Sequence, residues 1–198
     1  MSGTLFVGDV HGCAAELSEL IRIARPRRLI LVGDLYTKGP DPAGVWRLIQ
    51  DHHAEAVLGN HDDAVLRKWT RGRELPPSAF AWLRHRPLFL EGPGWLCVHA
   101  GIDPTGGPAA TSRDQALTLR RWPGGDERSA NPFWWELYQG ERLVIYGHDA
   151  RRGLADRRPR TLGLDSGCVY GNALTGYLLE EDRLLRVPAA RCYSPPKG

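Results

Sequence analysis

Three short apolar runs, Thr4–Val7, Arg28–Val32 and Ala54–Leu58, constrain this chain more than any other feature. Each ends in a glycine followed at once by an acid or an amide: Gly8-Asp9, Gly33-Asp34 and Gly59-Asn60. The three polar residues stand 25 and 26 residues apart. Between them lie segments of helical character. Cys13–Ala24 carries Leu17, Leu20, Ile21 and Ile23 at near-helical spacing. Asp41-Pro42 reads as an N-cap and first-turn pair opening a helix to about Asp51. The order is β-α-β-α-β, whose crossovers demand a parallel, right-handed arrangement. Open α/β sheets bind ligands at the carboxyl ends of their strands, so Asp9, Asp34 and Asn60 should converge on one rim.

The remainder is more mixed. Helices are expected from about Asp63 to Trp69 and over Ser78–Arg84. Leu88–Glu91 and Trp95–Val98 flank Gly92-Pro93-Gly94, a hairpin signal. Residues 103–131 read as loop with one helix near Ser112–Arg121. Strands follow at Arg142–Tyr146, Leu162–Leu164, Ala173–Glu180 and Arg183–Val187, the last two forming a hairpin. The reading is one domain over residues 1–193 with a frayed tail at 194–198.

Composition excludes several classes. No run of 18 apolar residues exists, so no membrane partner is expected. The opening MSGTLFVGDVHG reads as a strand and a motif, not a secretion signal. The cysteines, at 13, 97, 168 and 192, form no C-x-x-C pair. They read as reduced, buried thiols in a cytoplasmic protein. A net charge of +3 does not call for a dedicated nucleic-acid partner. Of 26 basic residues only Lys38, Lys68 and Lys197 are lysine, which draws attention to any lysine at a special position.

Five strand ends carry metal-type side chains: Asp9 with His11, Asp34, Asn60 with His61, His99 and His148. Each has a Gly or Ala neighbour that lets the backbone turn sharply and approach a ligand. Each piece alone has a plainer account: a cap, an Asx-turn, a satisfied core histidine. Together the donors are too many for one cation and suit two that share a carboxylate. Carboxylate with imidazole favours manganese, iron, zinc or cobalt over calcium or magnesium.

In this order, GDVHG, GDLYTKGP, GNHD, VHAGI and YGHDA resemble the calcineurin-like metallophosphoesterases. Within them the chain is similar to the branch containing phosphoprotein phosphatases and bacterial symmetrical diadenosine tetraphosphate hydrolases. LDSGCVYGNALTG also resembles that branch's last core strands. The resemblance implies two packed mixed β-sheets flanked by helices. It implies two divalent ions, manganese before iron, zinc or cobalt. Asp9 and His11 would hold the first, Asn60, His99 and His148 the second, and Asp34 both. Metal-activated water would attack phosphorus in line, and His61 would protonate the leaving group, a task suited to its ordinary pKa of about 6.5. The substrate implied is a dinucleoside polyphosphate, cut symmetrically, with phosphoserine or phosphothreonine in a protein as the alternative. A non-catalytic nucleotide- or RNA-binding protein is the reading of another class; the intact ligand set argues against it.

Two departures matter. The phosphoprotein phosphatases carry an Asp that orients the acid histidine where this chain has Thr37, a departure shared with many dinucleotide hydrolases. Lys38 stands where they place a phosphate-binding Arg. Lys grips as a point charge rather than as a bidentate fork. Arg113, Arg120, Arg121, Arg128 and Arg142 lie where the family draws a second phosphate-binding Arg, and Arg120 or Arg121 is favoured. Tyr36 and Tyr170, beside the site, are expected substrate contacts. Trp122, Trp134 and Trp135 are expected in the core rather than against a base. His52, His53 and His85, and the basic run from Arg151 to Arg160, are expected at the surface.

Overall fold

A computed structural model describes residues 2–67, 75–124 and 129–195. Helical expectations for 68–69 and the candidate Arg128 lie outside these residues. The first sheet has the order β10-β9-β1-β2-β3, with β1 (Ser2–Val7), β2 (Pro26–Leu31), β3 (Glu55–Ala56), β9 (Ala173–Leu178) and β10 (Arg183–Pro188). Its three N-terminal strands pair parallel, as the crossover argument requires, and β9 and β10 add antiparallel. The second sheet has the order β4-β5-β6-β8-β7, with β4 (Phe89–Gly92), β5 (Trp95–Val98), β6 (Leu143–Tyr146), β7 (Ala155–Arg157) and β8 (Thr161–Gly163). Here β5, β6 and β8 are parallel and the two edges antiparallel.

Strand alternation explains the layers. Phe6, Ile30 and Val32 from the first sheet meet Trp95, Cys97, Leu143 and Ile145 from the second, forming a core between the sheets. Their neighbours Leu5, Val7, Leu29 and Leu31 point the other way, onto α1 (Ala14–Ala24) and α2 (Pro42–Asp51). The outer face of the second sheet, Leu96, Val98, Val144 and Tyr146, is covered by α6 (Arg113–Thr118) and α7 (Trp134–Leu137). The two mixed sheets flanked by helices are therefore as expected. Trp134 and Trp135 are core residues, with Trp134 Nε1–H donating to the Ala100 carbonyl at 3.1 Å. The cap predicted at Asp41 forms, its carboxylate accepting from Gly44 N–H at 2.6 Å.

Four local expectations change. The helix α3 (Asn60–Arg67) starts earlier than Asp63, placing Asn60 and His61 in its first turn. The helix α6 ends at Thr118, so Arg120 and Arg121 lie on extended chain. Strand β7 forms inside the basic run, where Arg157 stacks on Trp135 at 3.8 Å and Arg158 pairs with Asp156 at 2.6 Å. The run stays largely at the surface, as expected, but its arginines there are held by these partners. The tail expected to fray from Ser194 is tied down there: Ser194 N–H donates to the Val169 carbonyl at 3.0 Å. Two short helices, α4 (Pro77–Arg84) and α5 (Gly107–Ala110), complete the fold. Among the described residues no helix is long and apolar enough to cross a membrane.

Candidate active site

The carboxyl ends of both parallel strand sets face one rim, and every metal-type residue singled out above reaches it. Asp9 and His11 follow β1, Asp34 follows β2, Asn60 follows β3, His99 follows β5 and His148 follows β6. His99 Nε2 lies 2.9 Å from Asn60 Oδ1 and 3.6 Å from Asp34 Oδ1. His148 Nδ1 lies 3.1 Å from the same Asn60 oxygen. On the other side His11 Nε2 is 3.5 Å from Asp34 Oδ2. Donor atoms of Asp9, Asp34 and His99 all fall within 4.8 Å of one another, as do those of His11, Asp34 and His61. Asp34 is common to both sets, the position a shared carboxylate needs.

Backbone strain concentrates here. His11, Asp34, Lys38 and His148 have φ of 46°, 54°, 69° and 70°. Non-glycine residues in this left-handed region cost about 1–3 kcal/mol each and persist where the surroundings dictate them. Glycines supply the close approaches: a methyl group at Gly147 would overlap Asp9 Oδ1, and one at Gly59 the Asp34 backbone.

The electrostatics match a cation site. Burial pushes the Asp34 carboxyl up to about 7. Burial, with Asp34 beside it, pushes Asp165 up to about 6. Asp9 is raised by burial, then by Asp165 and Asp34. Burial also holds His11, His99 and His148 below the ordinary imidazole range, so their rings offer neutral lone pairs. His148 Nε2 is buried without a hydrogen bond of good geometry, although the Thr118 backbone lies near it. The crowded carboxylates repel one another until cations sit among them, and the neutral imidazoles offer the lone pairs such cations need. The residues therefore fit the two ions the resemblance implies.

The surrounding shell holds these rings in place. His11 Nδ1 lies 2.9 Å from Thr37 Oγ1, and His99 Nδ1 2.8 Å from the Val32 carbonyl. Thr37, which replaces an Asp expected to orient His61, orients His11 instead. Asp62 is buried and accepts from Leu35 and Gly59 N–H at 2.9 and 3.2 Å, fixing the second and third loops together. His61 N–H donates to Asp34 Oδ1 at 2.9 Å, and its ring meets His11 edge-on at 5.1 Å.

The rim opens into a cleft of about 1330 Å³. Lys38, Tyr36, Tyr170 and Arg120 all line it. Lys38 Nζ donates to the Tyr170 hydroxyl at 2.7 Å. Tyr36 is buried, with its hydroxyl lacking a hydrogen-bond partner. Arg120 donates to the His148 carbonyl at 3.2 Å and lies 3.5 Å from Asp149. Arg121 is the exception among the expected contacts. Side chains alternate on extended chain, and it turns away to bond the Asn131 carbonyl and stack on Phe133 at 4.1 Å. Arg113 pairs with Asp63 at 2.7 Å and Arg142 with Glu91, both outside the cleft. His52, His53 and His85 are exposed.

Sequence reasoning missed Asp165. It follows β8, is buried, lines the cleft and presses on Asp9. Gly167 N–H donates to it at 3.1 Å. Its signal was weaker than at Asp9 or Asp34: an acid directly after a short apolar run, Leu162–Leu164, without a glycine between.

A family model for calcineurin-like phosphoesterases matches residues 4–166. A symmetrical bis(5'-nucleosyl)-tetraphosphatase of Ralstonia nicotianae is 31% identical, covering 93% of this chain and 90% of its own. The protein of that name from Aeromonas salmonicida is 28% identical over 264 aligned positions, covering 92% and 96%. That alignment is longer than the 198-residue chain, so the relative carries segments this chain lacks. An asymmetrical bis(5'-nucleosyl)-tetraphosphatase, PrpE of a Geobacillus species, is also 28% identical, covering 96% of each. Among solved structures, a protein proposed to be a diadenosine tetraphosphatase superposes with a TM-score of 0.88 at 31% identity, covering 94% of this chain and 93% of that one. A metallophosphoesterase from Sphaerobacter thermophilus shares the fold, with a TM-score of 0.60 at 15% identity.

Proposed function

Since the chain belongs to the calcineurin-like phosphoesterase family, and so hydrolyses phosphate esters or anhydrides, we propose that it cleaves dinucleoside polyphosphates, with diadenosine tetraphosphate cut symmetrically as the preferred reaction. The structural observation that carries this reading is the distribution of cations along the cleft. Lys38 stands on the His11 side of the metal rim, and Arg120 stands on the His148 side. A polyphosphate laid across the rim meets a positive group on each flank. Two such cations would also clamp a single phosphate, and it is the similarity to symmetrical tetraphosphatases that favours the polyphosphate over a phosphoserine.

Asp9, His11 and Asp34 would hold one divalent ion in this reading, and Asn60, His99, His148 and Asp34 would hold the other. All of these donors are oxygen or nitrogen, which suits manganese, with iron, zinc and cobalt as further candidates. When bound, the two ions supply Lewis-acid polarisation of the phosphoryl group and activation of water. The remaining work belongs to side chains. Thr37 holds the His11 ring. Asn60 spans His99 and His148 through one oxygen. Lys38, kept in place by Tyr170, neutralises phosphate oxygens on its side, and Arg120 does so on the other. His61, beside His11 and Asp34, donates a proton to the leaving oxygen.

The test compares manganese-loaded protein on diadenosine tetraphosphate, a phosphopeptide and tripolyphosphate, with product analysis. The reading expects diadenosine tetraphosphate to be the fastest substrate and ADP the sole nucleotide product. ATP with AMP would move it to the asymmetrical reaction, and a faster phosphopeptide would overturn it in favour of a protein phosphatase. Lys38→Ala should raise KM for the dinucleotide; an unchanged KM removes Lys38 from the phosphate site.

A further inference from the structure

A second cluster of donors lies beneath the first metal loop and takes no part in the phosphoesterase chemistry. Cys13 directly follows Gly12, Glu16 lies in the first turn of α1, and Cys168 lies on the short turn Cys168–Tyr170 after β8. The three are 0%, 3% and 1% exposed. Two sulfurs and a carboxylate oxygen, one atom from each residue, fall within 4.8 Å of one another. Both cysteines are free thiols.

Glu16 is what makes this more than a pair of packed cysteines. Its Oε1 accepts from Ala190 N–H at 3.0 Å and from the Tyr193 hydroxyl at 2.7 Å. Its Oε2 is buried and has no hydrogen-bond partner. A buried carboxylate oxygen left unpaired is costly, and buried charges are ordinarily paired or coordinate a metal. Here a carboxylate with one oxygen unpaired stands beside two sulfurs, the donors most selective for thiophilic ions.

We propose that Cys13, Glu16 and Cys168 form a third cation site, separate from the rim, that takes a thiophilic divalent ion of the zinc class. Thiolate donors select zinc over manganese or magnesium, and two sulfurs with one carboxylate oxygen supply three positions of a tetrahedral shell. The Tyr193 hydroxyl is bonded to that carboxylate and lies within electrostatic reach of both thiols. Loading exchanges two thiol protons for one divalent ion, so two protons leave to solvent. The ion would join three segments distant in sequence: the loop that carries Asp9 and His11, the turn after Asp165, and the C-terminal stretch. The rim donors include no sulfur, so each site would choose its own metal.

Cobalt titration of the full chain, stripped of metal and kept reduced, tests this directly. Cobalt bound by thiolate gives an intense near-ultraviolet sulfur-to-metal charge-transfer band; cobalt at the rim cannot. With the rim also filled, the expected band reaches the intensity of one thiolate-bound cobalt per chain, disappears on adding excess zinc, and persists in His99→Ala, which cripples only the rim. It should vanish in Cys13→Ser and in Cys168→Ser. Glu16→Gln keeps both sulfurs and should weaken cobalt binding at least about tenfold, the lower end of what losing even an outer partner of a metal site costs. Folded wild-type protein that shows no such band overturns the proposal. So does a band that survives the double Cys13→Ser/Cys168→Ser variant with native circular dichroism, since it would belong to Cys97 or Cys192. Should the serine variants misfold, Glu16→Gln decides: unchanged affinity rejects the site.

Discussion

Replacing Thr37 with valine removes one oxygen and leaves the side chain's shape nearly intact. His11 Nε2 faces Asp34 Oδ2 at 3.5 Å, so its lone pair is needed on the metal side. The proton then belongs on Nδ1, which donates to Thr37 Oγ1 at 2.9 Å. His11 is 4% exposed, and water cannot readily replace the lost acceptor. Two outcomes are open to the ring. It can keep its tautomer and leave a buried N–H unpaired, at a cost of about 1–3 kcal/mol. Or it can move the proton to Nε2, bond Asp34, and turn its lone pair away from the metal. Either route weakens metal binding, by about 10–100-fold if Thr37 acts like other outer partners of ligating histidines. Isothermal titration of chelator-stripped protein with manganese measures it, alongside thermal unfolding. Thr37→Ser, which keeps the hydroxyl, should bind nearly as wild type does. Wild-type affinity in Thr37→Val would refute the orienting role and leave Thr37 as a packing residue.

Three further outcomes are expected. Arg120→Ala should raise KM for a polyphosphate substrate about tenfold or more, the loss of one charge-assisted phosphate bond of about 1.5–3 kcal/mol, whereas Arg121→Ala should leave KM unchanged and lower only thermal stability; equal effects on KM would contradict the alternation of the two side chains. Gly147→Ala forces a methyl group against Asp9 Oδ1, so it should cost about 1–3 kcal/mol of stability and lower metal content, read by urea unfolding and elemental analysis. A variant with full metal occupancy would mean the β6 loop yields more easily than its packing suggests. Asp165→Asn removes a carboxylate pressed against Asp9, so it should reduce manganese affinity by about tenfold; tighter binding would show instead that repulsion from Asp165 limits the wild-type site.

The parts legible in the sequence share one physical basis. Apolar runs followed by glycine and an acid or amide are local signals, because a parallel strand buried on both faces is nearly continuous in apolar residues and its exit needs a sharp turn. Asp9, His11, Asp34, Asn60, His99 and His148 could be named from that pattern, and all six meet at one rim. Asp165 follows its strand without that glycine, and lies outside the β-α-β-α-β stretch where the period could be counted. Strand β7 was hidden because three residues in an Arg-rich run carry almost no alternation.

Other features had no local signal. Whether Arg120 or Arg121 enters the cleft depends on where α6 stops, and a one-residue change of direction on extended chain reverses the answer. That Thr37 serves His11 rather than His61 depends on how two loops, 26 residues apart, lie against each other. The meeting of Cys13, Glu16 and Cys168 depends on the chain crossing from β8 in the second sheet back to β9 in the first. The sequence by itself determined which chemical groups stand at strand ends, since that follows from strand period and turn chemistry along a continuous chain. Only the tertiary structure decided which of them touch, because that depends on how the two sheets stack and where each loop leaves its strand.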